Sequence, residues 1–370
     1  MAIGNIFFAI ATFSARVYQV SDTDNRFSSG TYLVFRAFTI VVGFFLIIPY
    51  LLITTSDISL IPPVIIFLLF KLDESFCDVL YAIDQKNERM DYIGFSQFVR
   101  GILVVAFFCL GLLIGKSLSV AFSAMFCTCF FFTLSYDLSR ARRFGDINLT
   151  ITPQDIVALI KACFPVMLSS TLIGAVVSLA RQFFGNQFGV TELGYYAAVA
   201  TPAVLVQAAA RYLYAPALVP LASKWRSGDL KEFNRLLSRT YLLILISAIV
   251  ATAFIILITP VVFPRIYGPE IEPYTNVLLI SGILMGTNCI AFVSFSTDTL
   301  IVCRDIKGCL ISVTIGFLAC LISSVPLENT LKMHGINVTV ILSMLIILTL
   351  CFIRILSAIR SQRESYQKGR

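Results

Sequence analysis

Apolar stretches of about 20 residues, separated by short polar turns, recur along almost the whole chain, and they leave few folds open. A helix rising roughly 1.5 Å per residue needs about 20 residues to cross a hydrocarbon layer of about 30 Å. Runs of that kind fall at residues 32–53, 58–83, 97–115, 118–136, 156–183, 193–222, 240–263, 274–302, 309–325 and 336–356. Ahead of them, only about 14 mostly apolar residues precede Arg16, too few for a comfortable span. This first run lacks a basic start and a small-residue cleavage site, so it reads as the second half of a helix rather than a signal peptide. With 58% hydrophobic and 13% charged residues, the pattern predicts an all-α polytopic membrane protein with ten complete transmembrane helices plus one partial.

The polar connections fix the organisation. The loop around residues 137–154 carries Arg140, Arg142 and Arg143 and marks the expected boundary between two helical lobes. Residues 1–145 would form an N-terminal lobe of four complete helices and the partial one. Residues 146–370 would form a C-terminal lobe of six helices with a basic tail. If the loop after the partial helix is cytoplasmic, 22 of the 28 Lys and Arg residues lie in cytoplasmic loops, flanks and tail, and only Lys116, Arg265 and Lys332 on the other side. That asymmetry predicts a cytoplasmic C-terminus.

Residues 71–101, KLDESFCDVLYAIDQKNERMDYIGFSQFVRG, put charge inside one of the spans. At about 100° per residue, Lys71, Glu74 and Asp78 fall within roughly 60° of one another, while Asp73 points the other way. Ionisable groups near mid-bilayer cost at least about 2.5 kcal/mol each, so they face a bundle interior or an aqueous cavity. Two readings stay open: a Lys71–Glu74 or Lys71–Asp78 pair that only packs the bundle, or the lining of a cavity for a polar cargo. In the span at 193–222, Gln207 and Arg211 share a face, with Tyr214 close to it. Arg211 suits a phosphate or a carboxylate sugar, with snorkelling to the interface as the alternative. Asp298 is a candidate counter-ion site, with helix-end solvation as the competing account. Arg181 fits snorkelling near a span end. Tyr195, Tyr196, Tyr212 and Tyr214 fit either sugar stacking or an interfacial belt. Pro202, Pro216 and Pro220 predict a bent gating helix.

Several function classes are disfavoured. The net charge of +7 is dispersed between apolar segments, so it does not describe a nucleic-acid face. The ten cysteines lie mostly inside apolar segments and read as small buried residues. His334 is the single histidine, which argues against a histidine-based metal site or a catalytic triad. No Gly-x-x-x-x-Gly-Lys-Ser/Thr or Gly-x-Gly-x-x-Gly motif occurs, the polar connections are too short for a soluble catalytic domain, and Asp84 and Asp91 read as members of a solvated turn. The expectation is therefore no enzyme and no cofactor. A membrane glycosyltransferase or glycan polymerase, and a non-transporting partner subunit, remain the cross-class alternatives.

Three stretches carry a family resemblance. ARVYQVSDTDNRFS resembles the loop after the second span of oligosaccharide flippases in the polysaccharide-export branch of the multidrug/oligosaccharidyl-lipid/polysaccharide exporter superfamily. The 71–101 stretch resembles that family's fourth and fifth spans, and FFGNQFGVTELGYYAAVATPAVLVQ its seventh-to-eighth connection. The resemblance implies two six-helix lobes around a central cavity, with the family's first span and part of its second missing ahead of residue 1. It further implies translocation of undecaprenyl-pyrophosphate-linked oligosaccharide repeat units across a bacterial inner membrane, in O-antigen or capsule assembly. The implied partners are the lipid-linked oligosaccharide, membrane lipids and other glycan-assembly proteins. From burial and charge, Lys71, Arg211, Gln207 and Tyr214 are then expected to bind substrate, and Glu74, Asp78 and Asp298 to couple an ion or proton. A multidrug or small-metabolite antiporter of the same superfamily is the runner-up.

Overall fold

Each apolar stretch forms a helix, because in hydrocarbon the backbone N–H and C=O groups have no partners but one another. The computed structural model describes residues 2–22, 26–54, 59, 61–144 and 152–368. Among these, nine helices are long and apolar enough to cross a membrane, and Ile6–Ser21 forms a shorter apolar run. The tenth full-length helix, Ile61–Lys86, has 26 residues and owes its lower hydropathy to its charges. The all-α class and the ten-plus-partial segmentation are borne out, and the chain is a multi-pass membrane protein.

The first elements are α1 (Ala2–Thr12), α2 (Ala15–Ser21), α3 (Ser29–Thr54), α4 (Ile61–Lys86), α5 (Met90–Gly115), α6 (Leu118–Phe132), a π-helical segment (Thr133–Leu138) and α7 (Ser139–Ala141). They are followed by α8 (Pro153–Phe188), α9 (Val190–Tyr214), α10 (Leu218–Ser227), α11 (Leu230–Tyr267), α12 (Val277–Val302), α13 (Ile306–Leu331) and α14 (Met333–Lys368). The chain divides into two compact units, Met1–Met167 and Leu168–Arg370. The expected boundary at residues 145/146 and the turn at 55–57 lie outside the described residues.

Many helices outrun their apolar parts, since the backbone ladder continues wherever a cap closes it. The basic connection expected at 224–239 is reduced to a turn at Gly228 and Asp229. Gly228 takes the left-handed φ of 73° that ends α10, and the Asp229 side chain accepts from the Glu232 N–H at 3.2 Å to start α11. That N–H holds the Asp229 carboxyl below the usual carboxylate range. Asn276 and Asp305 cap α12 and α13 in the same way, at 2.7 and 2.9 Å.

In the first unit α4 is the hub, packed on α1, α2 and α3 to one side and on α5, α6 and the π-helical segment to the other. In the second unit α12 takes that role among α9, α10, α11, α13 and α14. Gly316 lets α13 approach α14, where a Cβ would collide with Ile347 and the Ser343 carbonyl. Outer faces are strongly apolar: Phe45, Ile53, Leu113, Leu257 and Ile322 are each more than 70% exposed, as a lipid-facing surface requires.

The α5–α6 turn offers a simple test of local strain. Lys116 ends α5 with φ 45°, its N–H bonded to the Leu112 carbonyl at 3.0 Å. A non-glycine residue pays about 1 kcal/mol in that conformation. Lys116→Gly is expected to raise the thermal midpoint of the detergent-solubilised protein, whereas an unchanged or lower midpoint would contradict the strain.

Candidate functional site

The two faces of α4 do different jobs. One face is set by a break between α1 and α2, where Phe13 and Ser14 both take φ 47°. The break frees the Ala11 carbonyl, which then accepts from Arg36 Nη1 at 2.8 Å and from Thr39 Oγ1 at 2.7 Å. Arg36, only 1% exposed, turns its other nitrogen to Asp78 at 2.9 Å. Asp78 also receives Arg16 at 3.3 Å, and Arg16 donates further to Gln85 at 2.9 and 3.1 Å. One turn and more along the same face, Lys71 pairs with Glu74. Its ammonium lies 5.5–5.7 Å from the ring centres of Phe8, Phe67 and Phe70.

Arg16, Lys71, Glu74 and Asp78 are only partly buried, with side chains between 17% and 33% exposed. Together with Arg36 they bring three cationic and two anionic side chains to one face of a membrane-spanning helix. The cation excess there suits an anion.

The opposite face is dry. Asp73, fully buried, is ion-paired with Arg100 and accepts from Thr133 Oγ1 at 2.7 Å. Arg100 also donates to Thr133 Oγ1 at 2.7 Å and to Cys77 Sγ at 3.0 Å. Tyr81 and Ser96 share a hydrogen bond of 2.8 Å beside them. The π-helical segment Thr133–Leu138 widens the turn, so Thr133, Asp137 and Arg140 all reach toward α4. Arg140 pairs with Asp84 and, at 3.5 Å, with Asp137, and its guanidinium sits 4.6 Å from the ring centres of both Tyr92 and Tyr136.

These contacts correct two expectations. Asp84 is not in a solvated turn: α4 continues past it to Lys86, and the residue is 0% exposed beneath Arg140. Asp91 does lie in the open, paired with Arg89 at 2.8 Å. The cysteines are free and mostly buried, but Cys109 and Cys127 are exposed, and Cys77, packed with Tyr81 and Ile93, also joins a polar network through Thr133 and Arg100.

In the second unit Tyr214 and Asp298 come together across 84 positions of sequence, the phenol donating to Asp298 Oδ2 at 3.1 Å. Tyr214 is 1% exposed and packs on Phe295, with ring centres 5.3 Å apart. Gln207 and Arg211 are exposed on α9, so the face expected to hold all three residues splits, with the tyrosine turned inward. The proline-rich segment is interrupted: a short 3-10 turn at Ala215–Ala217, with Pro216 at its start, separates α9 from α10. Arg181 folds back over Tyr196, 5.6 Å from its ring centre, with Nε buried. Tyr195 stacks on Tyr274 at 4.7 Å, and each hydroxyl is donated to a carboxylate, Glu270 or Glu192.

The residues that sequence reasoning missed are Arg16, Arg36, Arg100 and Arg140. All four were available as charges, but only as flanks of spans. The signal pairing them with α4 was its four acidic residues, Asp73, Glu74, Asp78 and Asp84, which cannot all face one side of a helix.

No protein-family model matches the chain. It is 24% identical over 295 residues to the capsular polysaccharide biosynthesis protein CapF of Staphylococcus aureus, an alignment spanning 75% of this chain and 72% of that one. Its fold is similar to that of the Vibrio cholerae MATE transporter VcmN in the bent form, with a TM-score of 0.78 over 98% of this chain and 86% of that one, at 13% identity. It is also similar to an outward-facing multidrug resistance MATE family transporter of the MOP superfamily, with a TM-score of 0.76, 11% identity and coverage of 98% and 86%.

Proposed function

We propose that this chain, which has the fold of the MOP-superfamily transporters, carries lipid-linked oligosaccharide repeat units across a bacterial cytoplasmic membrane by alternating access between its two lobes. The observation that carries the reading is the partly exposed, cation-rich face of α4, formed by Arg16, Arg36 and Lys71 with Asp78 and Glu74. A pyrophosphate linker is the kind of cargo group that would compete with those carboxylates for the guanidinium and ammonium groups. Arg211 and Gln207, exposed on α9, would bind acidic or hydroxylated sugars, with Tyr214 contributing from the same helix. Glu74, Asp78 and Asp298, each already paired or hydrogen-bonded, would exchange those partners for an ion or proton during the cycle. The relative named for capsular polysaccharide biosynthesis supports a glycan cargo. The cytoplasmic C-terminus and contacts with other glycan-assembly proteins belong to the same proposal.

A second reading has its own support. One of the similar folds belongs to a protein named as a multidrug resistance transporter, and the acids of α4 would also suit an amphipathic cation. Reconstitution separates the two. Liposomes holding the full chain are expected to move a fluorescent undecaprenyl-pyrophosphate oligosaccharide to the opposite leaflet, measured by its loss of accessibility to a quencher. Movement of an amphipathic cation dye without movement of the glycan lipid would overturn the proposal in favour of the antiporter.

A further inference from the structure

The face of α11 turned away from the protein is charged at one end only. In its first half this helix buries Phe233, Leu237, Thr240, Ile244 and Ala248. At about 100° per residue, a second stripe lies roughly opposite: Lys231, Arg235, Arg239, Leu242, Ile246 and Leu257 fall within about 80° of one another. All six are exposed, the three apolar ones by more than half. Along the stripe the cations come first and the apolar residues after, and none of its members is acidic. Arg265, the cation at the far end of the helix, stands off the stripe, at about 160° from Lys231.

Cations beside a span commonly snorkel to the interface, and that accounts for their depth. It does not account for their direction. Positions 234, 236 and 238 lie at the same depth and hold Asn, Leu and Ser, so all three cations of this segment were placed on the one sector that faces away from the protein. They are spaced by four residues, about 6 Å along the axis. The headgroup zone of each leaflet is roughly 5–7 Å deep, which holds Arg235 and Arg239, while Lys231 stands one step beyond and reaches back with its flexible stem. Arg235 is 78% exposed and faces Glu232 at 3.6 Å, an open pair that yields readily to a phosphate. Cations above a continuous apolar stripe match the layout of one molecule, an anionic phosphate above acyl chains.

We propose that the outward stripe of α11 is a binding site for an anionic diacyl phospholipid of the surrounding bilayer, of the phosphatidylglycerol type. The phosphate meets Arg235 and Arg239, Lys231 adds to the attraction, and the chains lie along Leu242 and Ile246. The site stands independently of the cargo proposed above.

Trp225 is the single tryptophan of the chain, so a reporter can be placed on the stripe itself. In full-length Trp225→Phe protein carrying Leu242→Trp, reconstituted in liposomes, quenching by dibrominated phosphatidylglycerol is compared with quenching by dibrominated phosphatidylcholine of the same chain length. Binding of the anionic lipid is expected to be favoured about 5-fold or more, about the worth of one cation near an acidic surface. The preference should fall to about one when Lys231→Gln, Arg235→Gln and Arg239→Gln are combined. It should persist with Lys231→Arg, Arg235→Lys and Arg239→Lys, which keep the charge. Ile246→Trp reports on the same stripe if Leu242→Trp folds poorly, and Leu257→Trp, toward the uncharged end, should show no preference. Equal quenching by both lipids at position 242, or a preference that survives loss of the three charges, overturns the site. An equal preference at position 257 overturns its restriction to one end. Displacement of the brominated phosphatidylglycerol by a trace of undecaprenyl-pyrophosphate oligosaccharide would assign the stripe to the cargo and overturn the resident phospholipid.

Discussion

Arg100→Leu is expected to destabilise the protein by about 3–5 kcal/mol, because it strands a buried carboxylate. Asp73 is 0% exposed, and its partners are Arg100 and Thr133, which the same guanidinium also ties to Cys77. Removing the cation leaves Asp73 with a single hydroxyl, far short of what an ionised group needs in a dry bundle. The double variant Asp73→Leu/Arg100→Leu should recover most of the loss, since an apolar pair of similar volume is often neutral or better than a buried ion pair. Denaturant unfolding in detergent measures both. A single variant within about 1 kcal/mol of the parent would falsify the view that this face of α4 is a structural strut.

The open face of the same helix should respond in the opposite way. Arg16→Ala and Lys71→Ala are each expected to reduce glycan-lipid translocation about 10-fold or more, as loss of one or two charge-assisted hydrogen bonds to a phosphate implies. Both side chains are partly exposed, so folding should survive with shifts of about 1 kcal/mol or less. Lys71→Arg keeps the charge and should retain much of the activity. Initial rates of translocation in proteoliposomes, paired with thermal midpoints, check the separation. If Lys71→Ala transports normally, the α4 face is not where the anion binds; if it transports poorly because it is unfolded, the division of α4 into two faces fails.

The contrast between these two expectations shows how far the sequence reaches. The helical period alone placed Lys71, Glu74 and Asp78 together and turned Asp73 away, and the structure has that arrangement, with Asp73 alone of the four fully buried. It did not reveal that Asp84 is buried, because its surroundings, Gln85 to Glu88, look like a turn; Arg140, 56 positions away, covers it. Nor did it reveal that Arg36 is 1% exposed, because counting charges beside spans treats each arginine as interfacial. The split of Gln207 and Arg211 from Tyr214 has a similar origin. Spacing puts the three on neighbouring positions of one helix, while the acceptor that draws Tyr214 inward, Asp298, lies on α12.

Hydrocarbon allows a backbone no partner but itself, so the order and number of the spans follow from the letters alone: each run of apolar residues had to become a helix. Which charges stay open for a cargo and which are sealed as struts was settled only by folding, through the freed carbonyl at the α1–α2 break and the widened turn after α6. A charge inside a membrane is governed by whatever stands across from it, and that neighbour comes from a distant part of the chain.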